Sequence, residues 1–324
     1  LKLHQKTEIA VYGGANLDIQ AKSFSTFLPG DSNPGSLVIS PGGVGRNIAQ
    51  NASRLGARTE LVSLFGTDAL AAVLTSSLSA EGIRFDRSIF LPGRPSSAYV
   101  CLLDADGSLA GAVAAMELFD ELTLGMMENC WNAGDEADLV ILDGNLPRPV
   151  LEAAAVRWQG KPLLFDPVSE AKAGRGQGLL GSLDMIKPNL REAELLAGIK
   201  SDSQPCCQAA VLVDRAAEAA RSLVGMGVNE AFVSIGALGL VFASAGVCGL
   251  VSPLDLPVVN VSGAGDAAAA GIATGTLAGY DAGMKAAMAV ALASRCAASA
   301  MTVADGMTLE ALVASAGQVR IERL

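Results

Sequence analysis

The chain has 324 residues, enough for one large domain with a deep core or for a large domain plus a small appendage. Hydrophobic residues make up 51% and aromatic ones only 4%, with 36 glycines, a mix suited to close helix-on-sheet packing in an α/β protein. A formal net charge of -10 argues against non-specific binding to nucleic acid or to an anionic membrane surface, and the lone histidine, His4, leaves acid–base chemistry to carboxylates.

Lys2, His4, Gln5, Lys6 and Glu8 interrupt the opening, which does not read as a secretory signal. Residues 8–13 (EIAVYG) predict a short apolar strand ending in a glycine turn, followed by a polar Ser/Pro/Gly segment over 22–41. Residues 46–55 space Ile48, Ala49, Ala52 and Leu55 at helical period and stop at Gly56. A strand over 60–65 and a helix over 70–80 come next. Residues 97–103 alternate weakly before Asp104-Ala105-Asp106-Gly107, a hairpin signal; with the 22–40 segment they could form a small separate sheet.

From there the rhythm becomes regular. Residues 139–142, 162–165, 185–186 and 231–235 read as buried strands, with helices over 191–196 and 215–226 among the intervening segments, the βαβ pattern of a parallel sheet. Residues 231–254 carry no charge, but Gly236, Gly239, Gly246, Gly249 and Pro253 divide them into two or three buried strands rather than a membrane span. Residues 266–301 are Ala-rich and helical, with a break near Gly279. Cys101, Cys130, Cys206, Cys207, Cys248 and Cys296 form no CxxC or Cys/His pattern, so they suggest thiols in a reducing compartment.

The strongest local chemistry lies in Asn260-Val261-Ser262-Gly263-Ala264-Gly265-Asp266. Gly263, Ala264 and Gly265 let backbone N–H groups converge at a helix N-terminus, where the dipole favours an anion. Asp266 stands where its carboxylate could take a proton from a substrate hydroxyl, which together with an anion hole is what phosphoryl transfer needs. The same residues could simply be an Asp cap after a glycine turn.

The segment resembles the C-terminal motif of the ribokinase-like (PfkB) carbohydrate and nucleoside kinases, typically Asp-Thr-x-Gly-Ala-Gly-Asp. Pro41-Gly42-Gly43-Val44-Gly45-Arg46-Asn47 is similar to the family's Gly-Gly…Asn motif, Lys187–Glu192 contains its Asn-x-x-Glu, and Ser234-Ile235-Gly236-Ala237-Leu238-Gly239 matches its nucleotide-loop glycines. Within the family the chain most resembles the pseudouridine kinases, through residues 14–18 (GANLD), 31–35 (DSNPG), 41–51 (PGGVGRNIAQN) and 165–169 (FDPVS).

The resemblance implies a single three-layer α/β/α domain with a mostly parallel central sheet, and a small β-sheet lid from about residues 21–40 and 96–111. It implies ATP and Mg²⁺, a small-molecule nucleoside or sugar substrate, no nucleic-acid or membrane partner, and a homodimer through the lid. Asp266 would be the base for the 5′-hydroxyl of pseudouridine, with Gly263, Ala264 and Gly265 as the anion hole; a related kinase of ribose, fructose or another nucleoside is the alternative. Asn16 and Asp18 would hold ribose hydroxyls, unless they only form an Asx turn. Gly42, Gly43 and Asn47 would close on the same ribose.

Candidates for the base are Ser32, Asn33, Ser97 and Asn145. Asn189, Ser234, Gly236 and Gly239 would bind ATP. Glu192, Asn189 and Asp166 would organise Mg²⁺ through water, although Asn189 and Glu192 also suit a helix cap. Backbone carbonyls of Asn260 and Ser262 would hold a monovalent cation such as K⁺. Asn260 and Val261 depart from the family's Asp and Thr, which leaves potassium activation open. The small run Ala268-Ala269-Ala270 should enlarge a cavity or admit another helix. The expected compartment is the cytoplasm; Glu322-Arg323-Leu324 only loosely resembles a peroxisomal tripeptide. A binding subunit that keeps the fold is disfavoured by the intact Gly263, Gly265 and Asp266.

Overall fold

The first apolar run forms β1 (Glu8–Tyr12), sending Ile9 and Val11 into one core and Ala10 and Tyr12 into another. A strand covered on both faces belongs to a sheet between helix layers. A computed structural model, which describes residues 7–200, 208–303 and 306–324, has that arrangement. Lys2, His4, Gln5, Lys6, Cys206 and Cys207 lie outside the described residues.

β2 (Asn16–Ser23) and β3 (Gly35–Gly42) precede α1 (Val44–Arg54), β4 (Arg58–Val62), β5 (Leu64–Phe65) and α2 (Ala69–Ala80). Next come β6 (Ile89–Phe90), β7 (Ala98–Leu103), β8 (Leu109–Ala115), α3 (Trp131–Glu136), β9 (Leu139–Asp143), α4 (Arg148–Arg157), β10 (Leu163–Asp166) and the one-turn α5 (Glu170–Ala173). The chain continues through β11 (Met185–Ile186), α6 (Leu190–Leu196), α7 (Ala209–Gly225), β12 (Glu230–Ser234), β13 (Leu240–Ser244) and β14 (Val247–Val251). α8 (Ala264–Leu277), α9 (Ala282–Ala297), α10 (Leu309–Ala316) and β15 (Ile321–Arg323) follow.

The large sheet runs β15-β14-β13-β12-β11-β10-β9-β1-β4. It is parallel from β12 to β4 and antiparallel across β12, β13, β14 and β15. One core packs against α1, α2, α8, α9 and α10, the other against α3, α4, α6 and α7, giving the expected α/β/α sandwich. The carboxyl ends of parallel strands, where open α/β sheets bind ligands, therefore meet the starts of α1, α6 and α8.

The small sheet is also present, in the order β3-β2-β7-β8. It is longer than the sequence suggests, beginning at Asn16 and ending at Ala115, because β2 leaves β1 directly through Gly13, Gly14 and Ala15. A Cβ at Gly13 would strike the Asp143 carboxylate, and one at Gly14 would stand 2.5 Å from Asn145 Nδ2, so this turn needs both glycines.

Two boundaries differ from the sequence reading. The run over 60–65 breaks at Ser63, whose hydroxyl donates to the Gly13 carbonyl at 2.7 Å, and β5 pairs with β6 instead. α7 begins at Ala209 rather than 215. The Ala-rich tail breaks at Gly279 (φ 75°), as expected, into two helices, the second started by Asp281, whose carboxylate caps the Met284 amide at 2.8 Å. The uncharged 231–254 stretch forms β12, β13 and β14, and among the described residues no helix is long and apolar enough to cross a membrane.

The alanine run has a packing role. A Cβ at Gly271 would come within 2.8 Å of the Ala289 Cα, so α8 and α9 touch nearly backbone to backbone, with Ala267, Ala269 and Ala270 fully buried around them. Small side chains set that spacing.

Candidate active site

Gly263 adopts a left-handed conformation (φ 80°) just before α8, and any Cβ there would strike the Thr302 carbonyl. Only glycine fits, and the turn leaves the first amides of α8 without intrahelical partners. Asp266 stands in the first turn of that helix. Burial pushes its carboxyl up to about 7; the negative charges of Asp166 and Asp143 add to the rise, while Asn47 and Lys187 oppose it. A carboxylate with that proton affinity is suited to exchange protons near neutrality.

Asn47 is what holds it. Its Nδ2 donates to Asp266 Oδ2 at 2.8 Å, and its Oδ1 accepts from Arg46 Nη1 at 3.1 Å. Arg46 also donates to the Pro41 carbonyl (3.0 Å) and to Ser77 Oγ (2.9 Å). The guanidinium thus fixes which end of the Asn47 amide faces Asp266. Burial lowers the Arg46 guanidinium to about 10, still charged at neutral pH.

A second cation lies beneath the anion hole. Lys187 is 6% exposed, and its Nζ lies 3.1 Å from where a Cβ on Gly265 would stand. It forms an ion pair with Asp166 Oδ2 at 2.9 Å. Burial works against the Lys187 charge, but Asp166, Glu192 and Asp266 together hold its proton affinity above the ordinary lysine value. Asp166 Oδ1 accepts from the Val168 amide at 2.9 Å. Neither Arg46 nor Lys187 was singled out from the sequence, although both lie inside motifs quoted above. The available signal was position: Lys187 directly follows β11, at the end of a buried parallel strand.

Asn189 and Glu192 form a capping box. Asn189 Oδ1 accepts from the Glu192 amide (2.9 Å), Glu192 Oε2 from the Asn189 amide (2.9 Å), and Glu192 Oε1 from Asn189 Nδ2 (2.7 Å). Each carboxylate oxygen keeps a lone pair for water. That leaves Glu192 with the donor chemistry by which a carboxylate would hold a hydrated magnesium ion.

On the opposite side, Asn16 Nδ2 donates to Asp18 Oδ1 at 2.7 Å. The Asp18 carboxylate lies so close to Gly42 that a Cβ there would strike it, and a Cβ at Gly43 (φ 98°) would stand 2.5 Å from the Gly14 carbonyl. Asn16, Asp18, Gly42, Gly43 and Asn47 are therefore one wall. Burial raises the Asp18 carboxyl, against the Asn16 hydrogen bond and Arg46. Ser97, 2% exposed and beside Leu17, has a buried hydroxyl with no partner among the described residues, as a site awaiting a polar ligand would.

Beneath this wall Asp143 is fully buried and its carboxyl is pushed up to about 6 by burial, against bonds from the Gly14 amide (2.7 Å) and from Asn145. Asn145 in turn accepts from Lys172 Nζ at 2.5 Å. Asn33 is turned inward on its own loop, bonded to Leu28 and Asp31, and Ser32 is exposed; neither bonds to the Asp266 cluster.

Ser234 pairs beside Asn189, with its amide on the Pro188 carbonyl at 3.0 Å. Gly236 (φ 60°) and Gly239 (φ 104°) bound the turn that follows, and a Cβ at Gly239 would strike the Val251 carbonyl. All three line a cavity of about 490 Å³ that reaches Ala264 and Gly265. Asn260 Oδ1 accepts from the Ser262 amide (2.9 Å) and its Nδ2 donates to the Ala300 carbonyl (3.3 Å). The side chain offers no charge, so a monovalent cation here would depend on carbonyls. Those of Ser262, Met301 and Thr302 converge within 4.0 Å of Cys296 Sγ.

The cluster thus pairs a raised carboxylate with an anion hole between a polar wall and a cavity. Residues 6–310 match the pfkB family carbohydrate kinase pattern. The chain belongs to that family. Pseudouridine kinase of Escherichia coli is 30% identical over 273 residues, 84% of each chain. A carbohydrate kinase from Agrobacterium tumefaciens superposes with a TM-score of 0.85 at 27% identity, over 98% of this chain and 100% of that one. Arabidopsis thaliana ribokinase, solved with ribose and ATP, has the same fold, with a TM-score of 0.80 at 20% identity over 96% and 99% of the two chains. This pfkB-family chain is an ATP-dependent phosphotransferase acting on a sugar or nucleoside.

Proposed function

We propose that this kinase transfers the γ-phosphoryl group of ATP to the 5′-hydroxyl of pseudouridine. The observation that carries the reaction is Asp266, held by Asn47 at 2.8 Å and raised to a proton affinity of about 7 beside the first amides of α8. The similarity to pseudouridine kinase supports the choice of substrate.

In this reading the 5′-oxygen attacks the γ-phosphorus. A new O–P bond forms, the bond to the β-phosphate oxygen breaks, and ADP leaves with that electron pair. Asp266 takes the hydroxyl proton. The amides of Gly263, Ala264 and Gly265, with the Lys187 ammonium beneath them, stabilise the charge on the transferring group. Asn16, Asp18, Gly42, Gly43 and Asn47 orient the ribose. A carboxylate facing vicinal hydroxyls supplies directed hydrogen bonds of the charge-assisted kind.

Ser32, Asn33, Ser97 and Asn145 remain the proposed contacts to the base. Of these, Asn145 is the one built into the buried network, through Asp143 and Lys172. Asn189, Glu192 and Asp166 would hold a hydrated magnesium ion, which when bound supplies charge neutralisation on the phosphates. Carbonyls of Ser262, Met301 and Thr302 would hold a monovalent cation and stiffen the loop before α8. Ser234, Gly236 and Gly239 would border ATP. Leu37, Ile39, Leu102 and Val113 leave an exposed apolar surface on one face of the small sheet, which a second copy of the chain would cover as the two lids pair.

The test is phosphorus NMR of the product after incubation with Mg²⁺-ATP and, separately, pseudouridine, uridine, adenosine, ribose and fructose. The reading expects a 5′-monoester formed fastest from pseudouridine. Faster turnover of another acceptor would leave a kinase of a different sugar or nucleoside.

A further inference from the structure

The cavity of about 490 Å³ begins at Ala264 and Gly265, the anion hole, and opens between β13 and the α8–α9 pair. Its size lies within the range of about 300–1,000 Å³ usual for small-molecule pockets. Its walls are aliphatic: Leu240, Leu254, Leu256, Val258, Val261 and Ala268 are representative. Among the described residues no charged side chain lines it, and Ser234 and Ser294 carry the polar side chains that do. Part of its space exists because Ala268, from the small-residue run of α8, stands where a larger side chain would fill it.

Several of the polar groups nearest this space are already engaged. Ser294 Oγ donates to the Val290 carbonyl (2.8 Å) and accepts from the Leu254 amide (3.2 Å). The Leu254 carbonyl accepts from the Leu256 amide (2.9 Å), and the Ala297 carbonyl takes the amides of both Val259 and Asn260 (2.8 and 3.0 Å). Ser234 Oγ makes one long bond, 3.4 Å, to the Pro188 carbonyl. A rotating hydroxyl can donate or accept, so it serves an amino and a carbonyl substituent equally.

We propose that this kinase does not read the base of its phosphoryl donor, and that GTP and ITP serve it as well as ATP does. The inference rests on the reading that the donor's base occupies this cavity while its phosphates reach Gly265. Adenine differs from guanine and hypoxanthine in its ring-edge donors and acceptors, not in its flat apolar faces. A pocket built to hydrogen-bond one edge rejects the wrong partner by about 10⁴–10⁵-fold, whereas an apolar pocket discriminates by about 10²-fold at most. This cavity is of the second kind: it grips by contact area alone.

Two measurements test it. The first is displacement of a fluorescent ATP analogue by ATP, GTP and ITP with Mg²⁺, which needs no acceptor; the second is kcat/KM for each donor with the best acceptor from the panel above. We expect the three donors to lie within about tenfold of one another in both. A preference for ATP above a hundredfold overturns the proposal. A chain that binds all three alike yet phosphorylates no acceptor sinks the functional reading and leaves this one standing; adenine-only binding does the reverse. Trimming the exposed cavity wall with Val261→Ala should weaken all three nucleotides by the same factor, threefold or more on the order-of-magnitude expected for lost apolar contact. An unchanged affinity would move the base elsewhere and overturn the proposal.

Discussion

Asn47 Nδ2 and Asp266 Oδ2 meet at 2.8 Å across 219 residues of chain, joining the start of α1 to the start of α8. The polar wall and the first turn of α8 are thereby joined at the carboxylate proposed to take the substrate proton. Arg46 orients the asparagine, and Gly263 positions the helix.

Asp266→Asn keeps the shape and a hydrogen-bonding group toward Asn47 but removes the base. Phosphoryl transfer should fall by about 10²–10⁴-fold, with the melting temperature nearly unchanged. Steady-state kinetics and thermal unfolding of the two proteins check this, and a mutant within a few-fold of wild type would remove Asp266 from the chemistry.

Asn47→Ala bears on pH. The Asn47 hydrogen bond favours the ionised form of Asp266, so its loss raises the carboxyl further above 7. A base must be deprotonated to act, so the rising acid limb of kcat/KM should move to higher pH in the variant. A limb that stays in place, or moves to lower pH, contradicts the assigned contact.

Lys187→Met strands the buried Asp166 carboxylate and removes the cation beneath Gly265. Breaking a buried pair by deleting one partner costs about 3–5 kcal/mol, so denaturant unfolding should show a large loss of stability. At a temperature where the variant is still folded, kcat should fall more than acceptor KM rises. An uncoupled loss, stability without kcat, would make Lys187 a structural counter-ion only.

Ile39→Lys places a charge on the exposed apolar face of the small sheet. Light scattering should report a dimer for the wild type and a monomer for the variant. A wild-type monomer would refute pairing through this sheet.

Much of this was legible in the sequence, for particular reasons. Strands β1, β9, β10 and β12 are near-continuous apolar runs, because a parallel sheet is covered on both faces. The turn before α8 was legible because Gly263, left-handed and pressed against the Thr302 carbonyl, has no alternative there. Boundaries were not: β4 and β5 read as one strand because Ser63 breaks them through a hydroxyl bond to Gly13, a contact no local pattern reveals. Arg46, Lys187, Asp143 and Lys172 escaped for a related reason. Asp143, Lys172 and Lys187 act through partners distant in sequence, Arg46 acts on its neighbour Asn47, and a charged residue in a motif looks the same whether solvated or buried. The role of Ala268–Ala270 needed the fold too, since tight α8–α9 packing and the nearby cavity both follow from it.

The most direct test of the central claim is the pH dependence of kcat/KM for Mg²⁺-ATP-dependent phosphorylation of pseudouridine, wild type beside Asp266→Asn. With Asp266 as a base titrating at about 7, the wild-type rate should fall about tenfold per unit below that pH, and the residual rate of the variant should lose this limb. An acid limb near 7 that persists in Asp266→Asn would assign the base to another group and contradict the account.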